Sequence, residues 1–115
     1  MRHAPLLALL LTLACAPGDG VALSELDDND WARLCGELPP GQTASCDVGG
    51  SSIEVETDGP ESCTVVRESG AVLDGCTATV GDWRACMDDL DADPCRLVAD
   101  DPGAACTAVS ACIAL

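Results

Sequence analysis

Tyrosine, phenylalanine and lysine are missing from this 115-residue chain, and histidine occurs once, as His3. With Trp31 and Trp83 the only aromatic residues, a Tyr-rich binding surface is excluded. Five Arg stand against twenty Asp and Glu, and the net charge of −15 argues against nucleic acid, whose phosphates need cations. Beyond the first fourteen residues there is no His, Lys or Tyr, so the usual general bases for a Ser or Cys nucleophile are absent. Paired carboxylates remain, which is the inventory of a two-carboxylate glycosidase. A chain this short is expected to offer little cleft for a sugar. No catalytic residue and no cofactor is expected.

Large apolar side chains are scarce as well. The hydrophobic fraction is 48%, but 17 Ala and nine Cys supply about half of it. From Cys15 onward only 22 Leu, Ile, Val, Met and Trp remain. That suffices for one small, thinly cored domain.

What is present begins with a signal. Arg2 is followed by the apolar run Leu6 to Ala14, and every acid lies beyond it, from Asp19 on. The run is well short of the ~20 residues that span a bilayer. A charged start, a short apolar stretch and small residues at its end are the pattern of a removable secretory signal. Thr12-Leu13-Ala14-Cys15 resembles the lipobox of bacterial lipoproteins, in which the cysteine is lipidated and becomes the new N-terminus. Ala14 fits that box, whereas Thr12 stands where an aliphatic residue is usual. Two rival cuts exist. One, after Ala16, leaves Pro17 beyond the scissile bond, where its ring disfavours an extended substrate. The other falls after Ala22. The expected organisation is a signal over 1–14, a lipidated cysteine and flexible tether over 15–23, and one domain over 24–115.

Cysteine parity agrees. An odd count leaves one thiol over in an exported protein. With Cys15 set aside, Cys35, Cys46, Cys63, Cys76, Cys86, Cys95, Cys106 and Cys112 pair completely. Parity supports the removal of Cys15 from the pairing, by lipid or by cleavage. Zinc is disfavoured because no Cys-x-x-Cys pair exists and His3 lies in the signal. Four disulfides are therefore expected. If Cys106 and Cys112 share one unbroken helix, six residues separate them by roughly 9 Å of rise, beyond the ~7 Å limit of a disulfide. The expected set is nested, Cys86 with Cys112 and Cys95 with Cys106.

Local patterns predict an α+β, small disulfide-rich domain of four or five short helices and one β-hairpin. Ser24 with Asp27 reads as a capping box, followed by the stripe Trp31, Leu34, Cys35 and Leu38. Gly49-Gly50 between 43–48 and 51–57 reads as a hairpin turn, with Ile53 and Val55 facing inward. Pro60 opens a helix carrying Cys63 and Val66. Thr79 with Asp82 is a second capping box, ahead of the stripe Trp83, Cys86, Met87 and Leu90. Asp93-Pro94 and Asp101-Pro102 open two more short segments. Each Trp lies one helical turn before a Cys and is expected in the core.

The mature chain resembles the small, cysteine-rich lipoproteins of GC-rich myxobacteria. The likeness rests on the Cys15 signal, Trp31 to Cys35, the stretch from Cys76 to Cys86, Asp93-Pro94-Cys95, and Ala105-Cys106 to Cys112. It implies export and anchoring, and brings no activity with it.

Calcium binding fits poorly. Asp89-Leu90-Asp91-Ala92-Asp93 opens like an EF-hand loop, yet Pro94 holds the place that needs Gly and Asp100 the place of the bidentate Glu. A looser site at Asp88 to Asp93 or Asp27 to Asp30 competes with a plain solvated face, and no metal ligand is assigned. The expectation is a non-catalytic, monomeric cell-envelope lipoprotein, contacting membrane only through its lipid. Its acidic domain would serve protein interaction, with a basic partner, or surface coating. The alternative is a secreted module that binds a cation or a basic ligand.

Overall fold

A computed structural model describes residues 16–69, 71–73 and 75–114. Cys15 and the signal, 1–14, lie outside the described residues, as does the Val66 side chain. The domain is a small α+β fold closed by four disulfides. Its helices are α1 (Asp28–Gly36), α2 (Pro60–Ser69), α3 (Val80–Ala92) and α4 (Ala104–Ser110). Strands β1 (Thr43–Val48) and β2 (Ser51–Glu56) form the hairpin. Two-residue strands β3 (Ala71–Val72) and β4 (Ile113–Ala114) pair antiparallel, a contact with no sequence signature. Short 3-10 segments run over Leu23–Glu25 and Pro94–Val98.

The helix starts follow from side-chain acceptors. Thr79 accepts from the Asp82 amide while the Asp82 carboxylate accepts from the Thr79 amide, the expected reciprocal cap of α3. At α1 the cap is Asp27 with Asp30, not Ser24 with Asp27. Ser24 sits instead inside the first 3-10 segment, so the helix begins one turn later than expected. The last helix also starts late. Gly103 at φ +99° forms its N-cap, a backbone state glycine takes without penalty, and Asp101 accepts from the Gly103 amide in the turn before it.

The hairpin turn is as expected, with Gly49 and Gly50 at φ +58° and +84°. Its buried face is smaller than expected. Cys46 and Val55 are buried, but Ile53 is 39% exposed. Ile53 lies directly opposite Cys46 on the same face, two residues nearer the turn than Val55.

The core gathers around Trp31 and Trp83, which meet edge to face at 5.2 Å and 85°. Such a pair contributes about 0.5–1.5 kcal/mol beyond its burial. Leu23, Leu34 and Val80 are fully buried beside it. Leu23 and its neighbours fall in the stretch read as tether, and they are docked. The Leu23 amide donates to the Ala78 carbonyl (3.0 Å), the Val80 amide to Val21 (2.8 Å) and the Gly81 amide to Asp19 (2.9 Å). The folded part thus begins several residues before Ser24.

The disulfides join Cys35–Cys63, Cys46–Cys95, Cys76–Cys112 and Cys86–Cys106. The nested pairing of Cys86 with Cys112 and Cys95 with Cys106 is therefore incorrect. Helices α3 and α4 pack against each other and bring Cys86 to Cys106, at a Cα separation of 4.6 Å. Cys112 lies past the end of α4, in a turn that leads back to Cys76. Cys106 and Cys112 are not bonded to each other, although the unbroken helix used to separate them does not exist.

Candidate functional site

The stripes that build the core do not end in it. On α3, Trp83 and Cys86 are buried while Met87 and Leu90 are only half-buried. Leu38, the last apolar residue of the α1 stripe, lies beyond that helix and is also half-buried. These leftover side chains, with the half-exposed Leu97, wall a cleft of about 490 Å³ between α3, α4, the Pro94–Val98 segment and the base of the hairpin. A cleft was not expected in so small a domain. Its walls come from six stretches of chain, so no local pattern could have shown it.

Covalent and steric constraints fix its shape. Cys63, Cys86 and Cys106, from two different disulfides, line it. At its hairpin side the segments around Pro40 and Thr57 cross closely. The Gln42 amide donates to Thr57 Oγ1 at 2.8 Å, and the Thr57 amide to the Gln42 carbonyl at 2.8 Å. A Cβ on Gly41 would stand 2.5 Å from the Thr57 carbonyl oxygen, so only glycine allows this approach.

The cleft is predominantly apolar, with charges at its edge. Glu56, Asp58 and Asp91 are exposed carboxylates, and Arg96 is the one cation among its lining residues. The Asp91 carboxylate accepts from Gln42 Nε2, and Arg96 Nη1 donates to the Pro102 carbonyl at 3.4 Å. No ion pair joins any of these four charges among the described residues.

A second cluster is structural. Arg84 on α3 donates from Nε and Nη2 to the Glu37 carboxylate (3.0 and 2.8 Å), and from Nη1 to Asp19 (2.6 Å). Hydrogen bonds to Glu37 first and Asp19 next raise the Arg84 pKa above its ordinary value. It is charged at any pH the protein meets. The clamp ties the N-terminal segment to the end of α1.

The acidic stretches do not converge. Among the described residues, no group of three or more His, Cys, Asp or Glu is placed to hold a metal ion. No described helix is long and apolar enough to cross a membrane. Four disulfides mark an oxidising, extracytoplasmic environment. No protein-family model, no curated protein and no solved structure matches this chain.

Proposed function

We propose that this chain is the exported domain of a cell-envelope lipoprotein, anchored through Cys15, and that it works by binding, not by catalysis. The observation that carries this reading is the pairing of the cysteines. All eight from Cys35 to Cys112 pair among themselves, so none of these bridges calls on the ninth cysteine of the sequence, Cys15. The docked N-terminal segment adds support against the cut after Ala22. Such a cut would remove Asp19 and Val21, and with them two backbone acceptors and one arm of the Arg84 clamp.

Intact mass of the membrane-extracted protein tests the proposal. The expected species begins at Cys15 with a thioether-linked diacylglycerol and an acylated amine carrying palmitate-class chains. More than one chain is needed because each buried CH₂ adds only about 0.8 kcal/mol of membrane affinity. Cys15→Ser should leave an unprocessed precursor or a freed domain, with all four disulfides formed. An unlipidated mass beginning at Leu23 would overturn the proposal.

A secreted ligand-binding module is the second reading. The acid-edged cleft favours it, and it predicts the same binding without the lipid. Both readings give a monomer whose partners are basic: twenty acids face four arginines beyond Cys15, a balance of −16 that repels anionic surfaces and like copies.

A further inference from the structure

The cleft has two features that bear on what would fill it. Its volume of about 490 Å³ falls in the range of small-molecule sites, and its floor is apolar side chains held by disulfide-linked elements. Its charged edge is asymmetric. Glu56, Asp58 and Asp91 outnumber Arg96, and none of the three has an ion-pair partner among the described residues. The Arg96 guanidinium is turned in part to the protein, donating to the Pro102 carbonyl and lying close to Gly103. An anionic head group would find one cation here and three carboxylates. A cationic head group would be attracted by three of these charges and repelled by one, within the field of a chain that carries −16 beyond Cys15.

We propose that this cleft binds an organic cation that carries an apolar group, with the apolar group on the Met87, Leu90 and Leu97 floor and the cation at the Glu56 and Asp58 edge. The proposal rests on the reading of the chain as a binding domain. It names a site and a ligand class: a small amine or guanidine with a hydrocarbon or aryl tail.

A series with one tail and three heads separates the two contributions. The exported, oxidised protein is titrated with 4-phenylbutylamine, 4-phenylbutanol and 4-phenylbutyrate, followed by amide and methyl chemical shifts. The amine is expected to bind about ten-fold tighter than the carboxylate, with the alcohol between them, and to shift Met87, Leu90 and Leu97. At about 1 M salt, where the Debye length is near 3 Å, the difference between heads should shrink while tail binding persists. The double variant Glu56→Gln/Asp58→Asn should erase most of the preference. Both side chains are exposed, so the fold stands, and four intact disulfides by mass verify it. Leu97→Ala should weaken all three ligands alike by several-fold.

Equal or tighter binding of the carboxylate would overturn the proposal. So would an unchanged preference in the double variant, or no binding by any of the three. A basic peptide such as Lys-Leu-Leu-Lys that shifts the cleft residues when the amine does not would overturn it in favour of a protein partner. None of these outcomes touches the anchor, because the lipid on Cys15 is read separately by mass.

Discussion

The helical part of the domain and the hairpin meet the same shortage of large apolar side chains in opposite ways. Around α1, α3 and α4 the few that exist are spent together: Leu23, Leu34 and Val80 reach zero exposure, and both Trp rings are buried against each other. The hairpin buries only Cys46 and Val55, and leaves Val48 and Ile53 at 40% and 39% exposure. An isolated two-stranded hairpin is marginal in water. Here it is bolted to the Pro94–Val98 segment by Cys46–Cys95, the bridge that closes the longest loop, 49 residues. One region is therefore supported by packing together with three bridges and the other chiefly by a single covalent link, with cysteine serving as core residue and fastener at once.

The largest effect should come from reducing all four disulfides. Loops of 20 to 49 residues each contribute roughly 3–4 kcal/mol in the chain-entropy account, not strictly additively. A domain of this size has only about 5–15 kcal/mol in total. Far-UV dichroism and amide dispersion should collapse on reduction. A folded spectrum under reductant would mean that the helical core stands unaided.

Leu34→Ala tests the packed region. Removing a fully buried Leu should cost about 2–5 kcal/mol, seen as a lower denaturant midpoint with unchanged slope. The double variant Cys46→Ala/Cys95→Ala tests the fastened one, at about 1–3 kcal/mol because the hairpin can come loose while the rest stays folded. Hydrogen exchange should quicken over 43–56 and remain slow in α3. Equal acceleration in both regions would erase the contrast. Arg84→Ala should be the mildest, below about 1 kcal/mol and smaller still in high salt, since the clamp is partly solvated.

Much of the local structure was legible in the sequence. The Thr79–Asp82 cap, the Gly49-Gly50 turn and the two Trp stripes each depend on residues a few positions apart. The first helix start was misplaced because Ser24–Asp27 and Asp27–Asp30 both satisfy the spacing of a capping box. Only tertiary packing, which draws Leu23 into the core, decides between them. The disulfide pairing was not legible. Eight cysteines allow 105 connectivities, and the choice depends on how helices cross. The cleft was hidden for the same reason: Leu38, Leu97 and Ile113 become neighbours only once the chain has folded.

The docked N-terminal segment has a mechanical side. The first cysteine in any bridge is Cys35, so the residues before α1 are held to the body without a covalent link, by hydrogen bonds, the Arg84 clamp, the buried Leu23 and the half-buried Val21 and Leu26. With the chain anchored at Cys15 as proposed, a pull would reach these contacts before it loaded any disulfide. With the segment in place, the leash from Cys15 to Asp19 is four residues, at most about 14 Å. Peeled back to the start of α1 at Asp28, it lengthens to thirteen residues, about 45 Å. On that proposal the same chain would supply a short mooring at rest and a long one under load.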